Sequence, residues 1–75
     1  MKYTPREIGK LIRETRKALG VRQQDLALTS GTGTRFIIDL EKGKGTSELG
    51  KTLTILNTLG ITMALTPPSV PRKEE

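Results

Sequence analysis

Between Gln23 and Glu41 the chain reads QQDLALTSGTGTRFIIDLE, and this stretch constrains the fold more than any other. Its small residues stand where two short helices crossing at a tight turn need them. Ala27 falls where a second helix must approach closely, and Gly31 falls in the turn, where a residue of positive φ is often required. Ile37 and Leu40, three apart, bury one face of the second helix. A helical period of 3.6 puts Thr34, Arg35 and Ile38 on the opposite face, available to a partner. This is the pattern of a helix-turn-helix.

A length of 75 residues predicts one small domain, near the size at which a single core is marginally stable without a metal, a disulfide or a second subunit. The chain has no cysteine and no histidine, which excludes disulfides, thiolate or imidazole metal sites and a histidine general base. No cofactor is expected. No apolar run approaches the roughly 18 residues of a membrane helix, and no stretch reads as a signal peptide. The expectation is a cytoplasmic protein with no membrane contact. The net charge of +5 gathers in the first 20 residues, where Lys2, Arg6, Lys10, Arg13, Arg16 and Lys17 face only Glu7 and Glu14. Such a surface either follows a polyanion or keeps a helix face solvated. One tyrosine and one phenylalanine leave no stacking platform for single-stranded nucleic acid.

Taken in order, the chain predicts four short helices. Thr4-Pro5-Arg6-Glu7 is a helix start, with threonine as cap, proline at the first helical position and glutamate three residues after the cap. Helix one then runs over 5–19, with Ile8, Leu11, Ile12, Thr15, Ala18 and Leu19 as its apolar stripe and Gly20 as its stop. Val21 tucks into the core, and helix two opens at Arg22 or Gln23 and runs through Leu28, with Leu26 and Ala27 facing inward. Thr29 to Gly33 makes the turn, Thr34 to Lys42 the third helix, and 43–47 a loop. Ser47 and Glu48 start a fourth helix whose Leu49, Leu53, Leu56 and Leu59 recur at spacings of three and four. Gly50 and several threonines make that helix intrinsically weak.

At 61–66 the period changes. Ile61, Met63 and Leu65 alternate with Thr62, Ala64 and Thr66 before Pro67-Pro68, which predicts a strand. No other segment offers it a partner, and a lone strand leaves its backbone donors and acceptors unpaired. It either pairs with its own copy in a twofold dimer, the more economical arrangement, or lies as an extended tail on helix four. Residues 67–75 read as a disordered tail, so the expected domain is 1–66.

A helix-turn-helix sets the first turns of its second helix against base edges in the major groove, while the preceding helix holds the phosphate backbone. Thr34 and Arg35 then lie nearest the bases of double-stranded DNA. An arginine can make two hydrogen bonds to one guanine, worth about 1 to 3 kcal/mol of discrimination. Gly33 allows close backbone approach, and Ile38 serves either as a contact to a thymine methyl or as extra core. Gln23 and Gln24, at the start of helix two, are placed to bind phosphate. Arg22 and Thr32 join them, with Lys42 and Lys44 beyond the recognition helix. No enzyme is expected: Gly31-Thr32-Gly33 has Phe36 where a dinucleotide motif needs glycine, Gly43-Lys44-Gly45-Thr46 lacks the upstream glycine of a P-loop, and Asp25, Asp39 and Glu41 are explained as caps and ion pairs.

The stretch IGKLIRETRKALGVRQQDLALTSGTGTRFIIDLEKGK resembles the helix-turn-helix domain of the Xre and Cro/C1 repressor family. The resemblance implies an all-α, lambda-repressor-like bundle of four to five short helices. It also implies a structural ion pair between Arg16 and Glu41, and a phosphate contact by Gln23. SELGKTLTILNTLGITMAL is similar to the ending of the HipB-like antitoxins, in which a C-terminal β-strand pairs across a homodimer. Carried over, it makes Ile61, Met63 and Leu65 the dimer strand. It further implies repression of the chain's own operon at a palindromic operator, and binding of a HipA-like serine/threonine kinase toxin. Thr32, Gly33 and Ile38 depart from the family pattern of an apolar turn anchor, a polar cap and a small polar reader. Two other readings compete with this one: a stand-alone phage-type repressor, and a protein-interaction adaptor that has lost DNA readout.

Overall fold

The structure, a computed structural model, describes residues 3–69. Helix α1 (Pro5–Ala18) begins as the sequence dictates: the Thr4 hydroxyl accepts from the Glu7 N–H at 3.1 Å, and the Glu7 carboxylate accepts from the Thr4 N–H at 3.0 Å. Two backbone donors that no helical carbonyl could reach are thereby satisfied. Helices α2 (Gln23–Ser30), α3 (Thr34–Glu41) and α4 (Leu49–Thr58) follow. Helix α2 is two residues longer than predicted, and the turn shrinks to Gly31–Gly33. The added stretch ends on Ser30, whose hydroxyl donates to the Leu26 carbonyl at 2.7 Å. Gly31 then turns the chain at φ 73°, and its successor's N–H reaches the Ala27 carbonyl at 2.9 Å. An L side chain is strained at that φ, which is why the tight turn falls on glycine.

Helices α1 and α4 end alike. The N–H groups of Val21 and Ile61, just past each helix, bond at 3.1 and 2.9 Å to the carbonyls of Arg16 and Leu56. This fold-back throws both apolar side chains onto the core, where they lie half-buried. The core itself is Ile12, Leu26, Ala27, Ile37, Leu40, Ile55, Leu56 and Leu59. Each large aliphatic chain among them contributes about 1.5 to 3 kcal/mol by leaving water.

The apolar stripes of α1 and α4 are narrower than the sequence suggests. Leu11 and Leu19 are exposed, because α3 covers only the side of α1 that carries Gly9, Ile12 and Arg16. On α4, Leu49 and Leu53 are exposed while Ile55, Leu56 and Leu59 are buried, because α4 packs on α2 through its C-terminal half. The hydroxyls of Thr52, Thr54 and Thr58 bond to carbonyls one turn back at 2.9, 3.1 and 2.8 Å, an arrangement that weakens a helix slightly. Helix α4 therefore depends on that packing.

Among the described residues there is no strand. Residues 61–69 carry no regular structure, and Leu65 is 85% exposed. The strand expected at 61–66 is not formed among the described residues, since a strand exists through the ladder it shares and 61–69 carry no ladder with any of them. Of the expected tail, 67–69 is exposed, and 70–75 lies outside the described residues.

Candidate nucleic-acid interface

Helices α2 and α3 cross at the Gly31–Gly33 turn, and α3 is held from behind by α1. Ile37 and Leu40 anchor it in the core, so the helical period turns Thr34 and Arg35 outward and leaves both exposed. Ile38, one turn on, is half-buried, which accommodates both parts offered to it: an edge in the core and a surface for an apolar contact. Gly33 caps α3 with no side-chain hydrogen bond, at φ −88°. Among the described residues, its chain neighbours aside, nothing lies within 4 Å of where its β-carbon would stand, so their packing has no need of glycine there.

The buried end of α3 is fixed by charge. Arg16 Nε donates to Glu41 Oε2 at 2.6 Å, and Arg16 Nη2 donates to Oε1 at 3.1 Å. The remaining guanidinium group, Nη1, donates to the Val21 carbonyl at 2.8 Å. Gln23 Nε2 completes the set by donating to Glu41 Oε1 at 3.1 Å. One arginine thus ties the end of α1, the α1–α2 loop and the end of α3, while Gln23 brings in the start of α2. No buried side-chain nitrogen or oxygen among the described residues lacks a partner.

Gln23, expected as a phosphate contact, has a structural role in the fold. One of its amide hydrogens is committed to Glu41, and the rest of the group faces outward, half-buried. Gln24 is exposed beside it. Arg22, the residue before α2, is exposed and lies 3.1 Å from Asp25 Oδ2 through Nε. Thr32 is half-buried, with its hydroxyl 3.0 Å from that of Ser30, so it stiffens the turn at a position where the family pattern has an apolar anchor. Lys42 and Lys44, just past the end of α3, are both exposed. An open cleft runs between α1 and α3, lined by Arg13, Gln23, Ile38, Glu41 and Lys42. Arg13 and Lys42 are among its lining residues while the Glu41 charge is paired with Arg16, so the cleft carries net positive charge. The sequence places Arg13 only within the basic face of α1, which either follows a polyanion or stays solvated; its position beside Ile38 and Lys42 is visible only in the fold.

Sequence reasoning explains Asp39 only as one acid among caps and ion pairs. In the structure its carboxylate lies 3.6 Å from Arg35 Nε and 3.7 Å from Lys44 Nζ. The first contact is readable from the spacing of four, whereas the second depends on how Gly43 turns the chain back. Among the described residues, no helix is long and apolar enough to cross a membrane.

Two helices joined by a three-residue turn, with the second held from behind and its outer face bare, define a helix-turn-helix protein. No family model matches the chain. It is 47% identical over 70 residues to the uncharacterized HTH-type transcriptional regulator y4mF of Sinorhizobium fredii, with 93% of this chain and 92% of that protein covered. The chain belongs to this family of helix-turn-helix transcriptional regulators. Its fold is that of HipB: the HipB-O4 20mer complex superposes with a TM-score of 0.79 at 23% identity, covering 92% of this chain and 97% of the other. The HipA-HipB-O2-O3 complex gives 0.80 at 23% identity, with the same coverage.

Proposed function

We propose that this chain is a dimeric, sequence-specific repressor that binds a palindromic operator in its own promoter. We further propose that it acts as the antitoxin of a toxin–antitoxin operon and binds a HipA-like serine/threonine kinase toxin. The observation that carries the reading is the outer face of α3: Thr34 and Arg35 stand clear of the core, and Arg13 and Lys42 line the cleft beside Ile38 of the same helix. In this reading Gly33, Thr34, Arg35 and Ile38 meet bases. Arg22, Gln23, Gln24, Thr32, Lys42 and Lys44 meet phosphates, which fixes register without reading sequence. The toxin partnership is supported by the shared fold with HipB, which has been solved together with HipA.

The test compares a duplex taken from upstream of the chain's own reading frame with a scrambled duplex, by fluorescence anisotropy at two salt concentrations. A promoter preference that survives the higher salt supports specific readout; equal and steeply salt-sensitive binding to both refutes it. Arg35→Ala should cost about 1 to 3 kcal/mol of that preference. It should leave the melting temperature unchanged, because the Arg35 side chain is 79% exposed and makes only a surface ion pair.

The dimer rests on 61–66, which we read as the strand of a domain spanning 1–66, with 67–75 as its tail. Met63 and Leu65, together with Leu49 and Leu53 of α4, are exposed apolar side chains that a dimer contact would cover. Met63→Pro removes a ladder donor, so light scattering should report a monomer where the parent chain is a dimer. An intact Met63→Pro dimer would refute strand pairing.

A further inference from the structure

We propose that Asp39 is a positioning residue for base recognition, one that presets the Arg35 guanidinium and sharpens its selectivity. The proposal rests on the reading of α3 as a recognition helix. Of the two acids in α3, Glu41 is buried on Arg16, while Asp39 lies one turn after Arg35 toward the outer face. Its two oxygens face different cations: Oδ1 is 3.6 Å from Arg35 Nε and Oδ2 is 3.7 Å from Lys44 Nζ. The Asp39 side chain is only 25% exposed, against 79% for Arg35, so the carboxylate is the fixed member of the group. The Lys44 N–H also donates to the Asp39 carbonyl at 3.1 Å, which ties the loop to the same residue.

Ion pairs at this separation and exposure add little stability. Their effect on the arginine is larger. Contact through Nε engages one edge of the guanidinium and leaves both Nη groups to address the two acceptors of a guanine, O6 and N7. A long side chain already held in its reading geometry gives up less rotamer freedom on binding. The carboxylate also acts against wrong sequences. Where Arg35 finds no guanine, Asp39 keeps it, and the paired guanidinium offers a phosphate backbone less attraction than a free one would.

The experiment uses the full chain, the upstream duplex, a scrambled duplex and a set of single-base-pair variants of the first. The base pair whose change weakens the parent chain but not Arg35→Ala marks the position that Arg35 reads. Asp39→Asn should reduce discrimination at that base pair by about 3- to 10-fold. It should tighten binding to the scrambled duplex and leave the other positions and the melting temperature unchanged. Asp39→Glu, which keeps a carboxylate one turn from Arg35, should retain most of the discrimination.

The proposal is overturned if Asp39→Asn discriminates at that base pair as the parent chain does. It is overturned equally if all positions weaken together with a lower melting temperature, which would mark a structural role. Promoter preference with no base pair sensitive to Arg35→Ala would sink the proposal and leave DNA binding standing. No promoter preference in the parent chain would sink both.

Discussion

Replacing Arg16 by methionine is expected to cost about 3 to 5 kcal/mol of stability, because it leaves the Glu41 carboxylate buried with one neutral donor where it had a bidentate cation. The Glu41 side chain is only 3% exposed, so water cannot take the place of the guanidinium. A domain of 75 residues has about 4 to 11 kcal/mol in total, and the single substitution therefore removes roughly a quarter of it or more. The pair as a whole contributes much less than this loss. Removing both charges in Arg16→Met with Glu41→Leu should return stability to within about 1 kcal/mol of the parent chain, since the desolvation of two ions is removed with their attraction. Urea unfolding followed by far-ultraviolet circular dichroism measures both variants, with the slope as a check that the unfolded states are comparable. Equal stability of the single and the double variant would show that the unpaired charge is not what matters. The double variant should still bind its promoter more weakly, because Gln23 then loses the acceptor that orients it at the start of α2.

What can be read in advance follows from the range of each interaction. The Thr4-Pro5-Arg6-Glu7 cap, the Gly31 turn and the buried Ile37 and Leu40 are local signals, complete within about one turn of helix, and the structure places them as expected. The buried face of α4 is a different matter. Leucines at 49, 53, 56 and 59 make a convincing stripe by themselves, yet α2 covers only the C-terminal half of the helix, so Ile55 is buried and Leu49 is not. Only the docked partner carries that information. Arg16 and Glu41 lie 25 residues apart with nothing in their spacing to pair them, and only the resemblance to Xre and Cro/C1 repressors suggests the contact. On the outer face, the exposure of Thr34 and Arg35 follows from the helical period, whereas the second cation on Asp39 requires the path of the chain beyond Gly43. The strand at 61–66 is an inference from alternation, and alternation cannot say which chain supplies the other side of the ladder.

At Gly9 a single added methyl should destabilise a helix that, on intrinsic propensity, it ought to strengthen. Alanine favours a helix over glycine by about 1 kcal/mol. The Gly9 position, however, sits against the last turn of α3: a β-carbon there would fall inside the contact distance of the Leu40 carbonyl oxygen and 3.0 Å from that of Glu41. Both neighbours are backbone, so no side-chain rotation relieves the overlap, and α1 and α3 must separate. Overpacking of this kind costs about 1 to 3 kcal/mol, and the upper end applies where the obstacle is main chain, leaving Gly9→Ala a net loss of about 1 to 2 kcal/mol. Gly9→Val adds two methyl groups beyond the alanine and gives up most of the propensity gain, so it should lose at least about 3 kcal/mol. Gly50 supplies the control: it lies in α4 with nothing within 4 Å of the same β-carbon, and Gly50→Ala should gain about 0.5 to 1 kcal/mol. Thermal unfolding should therefore move in opposite directions for two identical substitutions, by about 4 to 8 °C per kcal/mol. A shift of the same sign at both sites would refute the close contact between α1 and α3. The same contact sets the tilt of the outer face of α3, because Gly9, Ile12 and Arg16 form one line along α1 against which that helix rests. Below its melting temperature Gly9→Ala should consequently lose promoter preference while it keeps its helical signal, a combination that loss of folded protein alone would not produce.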